Sequence, residues 1–290
     1  MTSTELSPTS ASTSELQFEV NNVTLRFGGV TSLSGVSLTL RRGEVLSVIG
    51  PNGAGKTSLF NCLTGVYRPQ EGTILFHGAS GKTRSIVGLK PYRISHLGVA
   101  RTFQSSHMFN AMSTFENVKV GIESTQRTGP IGAILHLPRT RHEEAEGDDR
   151  AFELLEYVGL GARANDLASS LPYGGRRRLE IARALGTKPE VLLLDEPAAG
   201  TNPAEKRDLA ELISRINREL GITILLIEHD MKLVMSVAQR IVVLNFGSVI
   251  AEGLPADIQR NPIVVDAYLG TTHEDAAPGG DAAGDRGADG

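Results

Sequence analysis

Cysteine and tryptophan are nearly missing from this sequence, whose 290 residues include one cysteine and no tryptophan. Cys62 cannot form an internal disulfide, and no cluster of metal ligands accompanies it in the sequence, so we expect a reducing compartment. Apolar runs are also short, and none approaches the ~20 residues of a membrane-spanning helix. Residues 1–15 lack the basic and apolar regions of a signal peptide. We therefore expect a cytoplasmic protein that reaches a membrane only through partner chains.

Charge of one sign is scarce once the two ends of the chain are set aside. The net charge is −4, but residues 271–290 carry five acids and one base and residues 1–15 carry two acids, which leaves residues 16–270 at +2. Nucleic-acid binding usually requires a broader basic excess, so we expect no nucleic-acid partner. The two ends are rich in small or polar residues and cannot bury enough apolar surface to offset the entropy of ordering. We predict a disordered tail at 1–15, one folded domain at 16–270 and a disordered acidic tail at 271–290.

The order of apolar segments predicts an α/β fold. Val45–Ile49, Val191–Leu194 and Ile222–Ile227 are short and largely apolar, and a helical stretch follows each of them. That pattern is typical of a mostly parallel core sheet with helices on both faces. Leu16–Phe27 and Val36–Leu40 instead alternate apolar and polar residues, which predicts an antiparallel β subdomain.

Two later segments complete the predicted organisation. Residues from about 110 to 186 have a mostly helical pattern, which indicates an inserted helical subdomain. Ile241–Ile250 contains Asn245-Phe246-Gly247 between two β-rich stretches, which predicts a late hairpin.

A glycine-rich loop follows the Val45–Ile49 segment and opens the next helix. It fits the pattern G-x-x-x-x-G-K-[ST], in which backbone N–H groups and a helix N-terminus surround phosphate oxygens. Lys56 is expected to reach the β and γ phosphates, and the Thr57 hydroxyl to bind Mg²⁺. A chance glycine turn is the alternative, but the strand–loop–helix context favours a nucleotide site. The predicted nucleotide-binding residues are Gly50, Pro51, Asn52, Gly53, Ala54, Gly55, Lys56, Thr57 and Ser58.

Two acids follow the apolar segment Val191–Leu194. Because the carboxyl ends of parallel strands meet at one edge of a sheet, we expect Asp195 to lie near the phosphate loop and to hold Mg²⁺. Glu196 is predicted to act in catalysis by accepting a proton from the attacking water. Strand ends often carry solvated acids, so the pair is informative only together with the phosphate loop.

Two further polar residues are predicted at the same edge of the sheet. His229 follows the segment Ile222–Ile227, and we predict a catalytic role for it as a polar contact and switch beside the γ-phosphate. A structural histidine is the alternative. Gln104 ends another short strand and is predicted to contact both Mg²⁺ and the attacking water, with an ordinary surface glutamine as the alternative.

These motifs, in this order, resemble those of an ABC ATPase. The segment 171–180, LPYGGRRRLE, resembles the signature motif of that family. The stretches that resemble the LivG-type branch of the family are 98–104, 177–185, 228–235 and 261–270. Members of that branch power importers of branched-chain and related hydrophobic amino acids. The resemblance extends over residues 16–270 and implies a P-loop NTPase fold with ATP hydrolysis.

The resemblance implies a head-to-tail pair of ATPase subunits, formed by two copies of this chain or by this chain and a second ABC ATPase. In the family, ATP lies between the phosphate loop of one subunit and the signature motif of the other, which assigns Tyr173, Gly174 and Gly175 to ATP binding. Phe27 falls where the family places an aromatic side chain that stacks on adenine, with a core phenylalanine as the alternative. Residues 198–203 correspond to the loop that links the two composite sites.

The resemblance also implies partners in a membrane. A subunit of this kind uses ATP and Mg²⁺, docks on transmembrane permease subunits at the inner face of the cell membrane, and acts indirectly with an extracytoplasmic solute-binding protein. We expect the groove around Gln104 and the segment Ser105–Glu116 to receive a short helix from each permease subunit. Met108 and Phe109 are candidate contacts, and a core role for both is the alternative.

The sequence departs from the family pattern at three positions. Pro172 stands where Ser is usual, Gly175 where Gln is usual, and Thr201 where the branch has an apolar residue. Proline has neither a hydroxyl nor an N–H group, so it cannot replace a serine donor to phosphate.

Other functions stay open at this point. One is a non-transport ABC ATPase of DNA repair, chromosome structure or translation, which usually has tandem ATPase domains, coiled coils or basic arms. Another is a P-loop kinase or GTPase, although the sequence contains no Asn-Lys-x-Asp segment for reading guanine. Lipid export by a related ABC branch is a third.

Overall fold

A computed structural model describes residues 15–102, 108–124 and 138–269 of the chain. The tails predicted at 1–15 and 271–290 lie outside the described residues except for Glu15, and Gln104 lies outside them as well. The strands are β1 (Leu16–Phe27), β2 (Val30–Arg41), β3 (Val45–Ile49), β4 (Glu71–His77), β5 (Thr83–Ser85), β6 (Val99–Arg101), β7 (Val191–Asp195), β8 (Thr223–Ile227), β9 (Arg240–Asn245) and β10 (Ser248–Gly253). The helices are α1 (Lys56–Leu63), α2 (Pro91–Ser95), α3 (Thr114–Glu123), α4 (Pro138–Tyr157), α5 (Tyr173–Gly186), α6 (Pro203–Leu220), α7 (Met231–Val237), α8 (Pro255–Arg260) and α9 (Pro262–Leu269).

Four strands form the antiparallel sheet that the alternating pattern predicts. Their order is β2-β1-β4-β5, and every neighbouring pair is antiparallel. The strand predicted at Leu16–Phe27 is β1. The strand predicted at Val36–Leu40 begins earlier, at Val30, because Leu33 pairs with Leu25 of β1 and both side chains are buried. The antiparallel β subdomain is therefore confirmed, with a longer second strand.

The second sheet has the strand order β10-β9-β3-β8-β7-β6, and its members are parallel except for the antiparallel pair β9 and β10. Every residue of β3, β7 and β8 is buried, as expected for strands covered on both faces. On β7, Leu192 and Leu194 join an apolar cluster with the helices, whereas Val191 and Leu193 join a cluster with the antiparallel sheet. The parallel sheet is thus the middle layer of the molecule.

Helices α3, α4 and α5 occupy the described parts of the range 110–186. Helix α3 begins with a capping box, in which Ser113 and Glu116 satisfy each other's backbone N–H groups. Leu155 of α4 and Leu179 of α5 are fully buried in the same apolar cluster as the central strands. The helical character is confirmed where the structure describes the chain, and the division into a separate subdomain stays a prediction.

The late hairpin is confirmed. Strands β9 and β10 pair through Asn245 and Ser248, with Phe246-Gly247 as the connecting residues. Phe246 and Gly247 both have positive φ values, of 43° and 78°, as a tight hairpin turn requires. No helix in the described part of the chain is long and apolar enough to cross a membrane.

Candidate functional site

The strand order brings the predicted site residues to one edge of the parallel sheet. Strand β8 lies between β3 and β7, with Ile227 opposite both Val48 and Asp195. The phosphate loop (residues 50–57) follows β3, the turn with His229 follows β8, and Glu196 follows β7. The carboxyl ends of these parallel strands therefore form one edge, at which ligands of open α/β sheets bind.

The phosphate loop is pressed against the hairpin of β9 and β10. Gly50 has a φ of 152°, and a Cβ atom there would lie 2.1 Å from the Leu244 carbonyl oxygen. Gly55 has a φ of 100°, and a Cβ atom there would lie 2.6 Å from the Ser32 carbonyl oxygen. Only glycine fits these two positions, because both the backbone conformation and the space exclude a side chain. The Gly247 N–H donates to the Ala54 carbonyl at 3.1 Å, so the hairpin also holds the loop by a hydrogen bond.

Lys56 points its ammonium group back into this loop. The Nζ atom donates to the Gly50 and Pro51 carbonyls at 2.7 and 2.9 Å, and the side chain is buried. Burial lowers the pKa of the Lys56 ammonium, and the nearby carboxylates of Glu196 and Asp195 oppose that shift. A cation buried between loop carbonyls and two carboxylates is placed to meet phosphate oxygens.

The two hydroxyl residues that follow Lys56 differ in their surroundings. Thr57, the second residue of α1, is exposed. Ser58 is half-buried, and its Oγ accepts a hydrogen bond from the Ser32 hydroxyl at 2.7 Å. Thr57 is therefore placed to bind a ligand, whereas Ser58 joins helix α1 to strand β2.

Asp195 is almost fully buried and uses its two oxygens differently. Its Oδ2 pairs with Arg101 Nη2 at 2.7 Å, whereas its Oδ1 is buried and has no hydrogen-bond partner among the described residues. A buried carboxylate oxygen without a donor fits a cation as its partner. The described residues contain no cluster of three or more acids, histidines or cysteines that could hold a metal ion. This donor set suits Mg²⁺, which is usually bound by one or two protein oxygens together with phosphates and water.

Arg101 is a site residue to which the sequence analysis assigned no role. Besides Asp195, it donates to Asn61 Oδ1 at 2.7 Å and to Thr64 Oγ1 at 3.3 Å, both on or next to α1. Its guanidinium also lies over the Phe60 ring, 5.6 Å from the centroid. Arg101 therefore joins Asp195, the last residue of β7, to the helix that follows the phosphate loop. The feature that could have identified Arg101 is its position at the end of β6, the strand that neighbours β7.

Glu196 and His229 lie in the two turns next to Asp195. Glu196 has a positive φ of 46° and donates its N–H to the Ile227 carbonyl at 2.9 Å. A non-glycine residue in this region costs about 1–3 kcal/mol and is typical of functional sites. The His229 side chain is 60% exposed and lies 3.7 Å, through Nδ1, from the buried carboxylate of Glu228. Glu228 is a second residue whose contribution the sequence analysis missed.

The signature residues form the start of helix α5. Pro172 is the N-cap and provides no side-chain hydrogen bond, and Tyr173 is exposed. A Cβ atom at Gly174 would lie 2.6 Å from Glu205 Oε1, whereas the nearest atoms to a Cβ at Gly175 are 3.5 Å away. A side chain at position 174 would therefore displace Glu205, whereas one at position 175 has room.

Phe27 lies on the surface and not in the core. Its side chain is 45% exposed, and its ring meets Tyr67 edge-on with 5.0 Å between centroids. The alternative of a core phenylalanine is wrong, and an exposed ring supported by a second aromatic suits stacking on a base.

A cavity of about 450 Å³ separates α2 from the helices α3 and α5. Phe109 lines it, is 45% exposed, and has the Arg183 guanidinium 5.9 Å from its ring centroid. Met108 is buried, so the expectation that both residues present apolar surface is wrong for Met108. Arg101 also lines the cavity, which therefore reaches the ion pair with Asp195.

Comparison with known proteins gives the family. The ABC transporter family profile matches residues 33–199, and a profile described as branched-chain amino acid ATP-binding cassette transporter matches residues 248–274. The high-affinity branched-chain amino acid transport ATP-binding protein LivG of Salmonella typhimurium is 49% identical over 251 residues, which are 87% of this chain and 96% of LivG. BraF of Pseudomonas aeruginosa, described in the same words, is 46% identical over 252 residues, 87% of this chain and 97% of BraF.

Solved structures agree with the sequence relatives. The crystal structure of the ADP conformation of MJ1267, an ATP-binding cassette of an ABC transporter, aligns with a TM-score of 0.75 at 31% identity and covers 88% of this chain and 99% of that one. A nucleotide-free ATP-binding cassette from an ABC transporter aligns equally well. With the phosphate loop, the two acids at the end of β7 and the signature helix on one scaffold, the chain belongs to the ABC transporter family, as one of its nucleotide-binding ATPase cassettes.

Proposed function

We propose that this cassette hydrolyses ATP to power the import of branched-chain or related hydrophobic amino acids. The observation that carries the proposal is the 49% identity to LivG over nearly the full length of both chains. The second profile match, at residues 248–274, supports it because that profile describes branched-chain amino acid cassettes. The solute itself is selected by membrane and extracytoplasmic partners, so the proposal concerns the assembled complex.

The test is reconstitution of the chain with its permease subunits in proteoliposomes, with solute-binding protein supplied outside. We expect leucine, isoleucine or valine to stimulate hydrolysis and to accumulate in the vesicles only when ATP is present. Methionine is the informative control, because the methionine import ATP-binding protein MetN of Rhizobium johnstonii is 36% identical over 254 residues. Accumulation of methionine alone, or outward movement of a lipid, would contradict the proposal.

Binding of MgATP is assigned to the phosphate loop and to Asp195 at the end of β7. Lys56 and the loop N–H groups bind the β and γ phosphates, and Phe27 stacks on adenine. Thr57 Oγ1 and Asp195 Oδ1 hold Mg²⁺, with Gln104 as a further ligand. When bound, Mg²⁺ neutralises phosphate charge and orients the nucleotide.

Hydrolysis is assigned to two residues in the neighbouring turns. The Glu196 carboxylate accepts the proton of the attacking water. His229 contacts the γ-phosphate through its exposed imidazole, and Gln104 orients the water. The positive φ of Glu196 supports this role, since backbone strain at a non-glycine residue is typical of functional sites. The Glu196 carboxylate also lies close enough to Lys56 to oppose the lowering of the Lys56 pKa.

Two kinds of partner complete the proposed assembly. Transmembrane permease subunits each place a short helix in the cavity lined by Phe109, which locates the cassette at the inner face of the cell membrane. A second ABC ATPase, identical or different, binds head to tail and contributes its signature motif to the site of this chain. Tyr173, Gly174 and Gly175 serve the ATP of that partner in return. An exposed apolar cavity next to the ion pair of Arg101 and Asp195 supports the first contact.

A further inference from the structure

Glu228 is a fully buried carboxylate at the end of β8, directly before His229. Its Oε1 accepts a hydrogen bond from the Ala198 N–H at 2.8 Å. Its Oε2 accepts from the N–H groups of His229 and Asp230 at 2.9 and 3.2 Å. One side chain therefore joins the turn after β8 to loop 198–206, the segment that follows Asp195 and Glu196 and includes the first four residues of α6.

A second ion pair reinforces the same junction. Lys206, in the first turns of α6, pairs with Asp230 Oδ2 at 2.5 Å. The other oxygen of Asp230 caps α7 by accepting from the Leu233 N–H at 3.1 Å. The hydrogen bond from Lys206 is the main reason why the pKa of Asp230 is lowered. His229 is thus flanked by two carboxylates, and each of them is bonded to the loop 198–206.

The same loop packs against the start of helix α5. A Cβ atom at Gly200 would lie 3.2 Å from Cε1 of Tyr173, and one at Gly174 would lie 2.6 Å from Glu205 Oε1. Loop 198–206 therefore contacts the signature residues on one side and the carboxylate of Glu228 on the other.

We propose that Glu228 is a positioning residue. It couples the position of the His229 backbone to that of loop 198–206 and, through this loop, to the start of α5. This rests on the proposed function, in which His229 serves the ATP of this chain and the start of α5 serves the ATP of the partner. The side chain has to be a carboxylate, because both oxygens face N–H donors. A glutamine would place its NH₂ group against a backbone N–H in either orientation, so one side of the junction opens.

The experiment is a double-mutant cycle between Glu228→Gln and His229→Ala in the assembled transporter. Single-turnover hydrolysis of radiolabelled ATP resolves the slow reaction left in the histidine variant. We expect Glu228→Gln to lower the hydrolysis rate about 10- to 100-fold, as displacement of a reacting group does, while nucleotide affinity changes less than about twofold. In the His229→Ala background the same substitution has no further effect, because Glu228 acts through His229.

Glu190→Gln is the matched control. Glu190 lies just before β7, at the opposite edge of the sheet, and also accepts bonds from a backbone N–H (Ala79) and from side chains (Gln17). Its substitution leaves the hydrolysis rate unchanged in both backgrounds. If Glu228→Gln does not fold, Glu228→Asp replaces it, since the shorter carboxylate reaches the adjacent amides but not Ala198.

The results of this experiment either support or overturn the role of Glu228. Wild-type hydrolysis in a folded Glu228 variant, or an equal rate loss with and without His229, overturns the inference. If His229→Ala itself hydrolyses ATP normally, the role proposed for His229 fails and the inference fails with it. If His229→Ala is slow and Glu228→Gln is not, the proposed function stands and only the inference is wrong.

Discussion

Glu196 carries the sharpest prediction at the scale of single residues. Glu196→Gln keeps the size of the side chain and leaves Asp195 to hold the metal, so MgATP binding is expected to persist. Hydrolysis is expected to fall about 10²–10⁴-fold, because the attacking water loses its proton acceptor. The measurements are phosphate release at steady state and nucleotide affinity of the same preparation.

Lys56→Ala is the contrasting variant for that experiment. The Lys56 ammonium is within hydrogen-bond distance of two loop carbonyls, at the place where we propose that phosphate oxygens bind, so its removal is expected to weaken binding itself. Normal turnover in Glu196→Gln, or unchanged affinity in Lys56→Ala, would show that the two roles are wrongly assigned.

The burial of Cys62 predicts that its thiol reacts slowly in the folded protein. Burial raises the pKa of its thiol to about 12, and the side chain is almost inaccessible. The thiolate is the reactive form, so at pH 8 its fraction is on the order of 10⁻⁴, against roughly 0.2 for an ordinary thiol. We expect folded protein to resist iodoacetamide at pH 8 and denatured protein to react at once, as measured by mass spectrometry. Equal rates in both states would contradict the buried position.

Helix α5 provides a matched pair of variants at the scale of an element. Gly174→Ala pushes a Cβ against Glu205 Oε1, and Glu205 closes the capping box of α6 by accepting from the Asn202 N–H at 2.9 Å. Breaking that cap is expected to cost about 1 kcal/mol. Gly175→Ala has room for its Cβ and is expected to stabilise the helix by up to about 0.5–1 kcal/mol. Urea unfolding of the two variants measures the change in the free energy of unfolding, which is expected to be a loss for Gly174→Ala and a gain for Gly175→Ala. A loss of stability in Gly175→Ala would show that the space around Gly175 is too small for a Cβ atom.

The elements that the sequence predicts best are those with a continuous apolar pattern. β3, β7 and β8 are buried on both faces, so their composition alone identifies them. Strand β4 was not predicted, because its first three residues are exposed and it includes a glycine at φ 89°. Tertiary pairing with β1 forms that strand, and no local pattern records it.

The residues of the candidate site also differ in how well the sequence predicts them. Lys56, Asp195 and His229 follow from motifs, because a spacing between neighbours in sequence fixes the geometry. Arg101 meets Asp195 across 94 positions of sequence, and Glu228 meets Ala198 across 30, so neither contact is visible before the chain is folded. Met108 and Phe109 are adjacent and both apolar, so the sequence does not show that Met108 is buried and Phe109 is exposed. Only the packing of the folded chain distinguishes them.

At the scale of the whole molecule, the cavity predicts where the permease docks. A cysteine at Phe109 is expected to cross-link to a cysteine in a cytoplasmic helix of the permease, since the ring lines the cavity and is exposed. A cysteine at Met108 is the matched control, because that side chain is buried and should not react. Native Cys62 adds no background, because its thiol is buried. Absence of a cross-link from position 109 in every nucleotide state would place the permease elsewhere.

The departures in the signature motif predict two unequal ATP sites if the partner is a different ATPase. Pro172 supplies no hydroxyl, and its helix start has no side-chain cap. Loss of one donor to a developing phosphate charge costs about 10²-fold where other donors do not compensate. The slower site is therefore the one built on the partner's phosphate loop. We expect Pro172→Ser with Gly175→Gln to raise total turnover of the reconstituted complex.

Disabling each site in turn checks this asymmetry. Glu196→Gln should remove most hydrolysis, and the equivalent change in the partner should remove little. Equal losses would mean that the backbone N–H groups from Gly174 onward suffice, and that the signature departures have no effect on rate.

The contact between the phosphate loop and the β9–β10 hairpin also has a consequence for biosynthesis. Gly50 and Gly55 are held by residues of β2 and of the hairpin, and β3 lies between β8 and β9 in the sheet. The ribosome makes the loop roughly 200 residues before that hairpin, which at about 5–20 residues per second is an interval on the order of 10–40 s. A nascent chain therefore carries its glycine loop without the hairpin that shapes it, and we expect it to acquire the capacity to bind nucleotide only after β9 and β10 have been made.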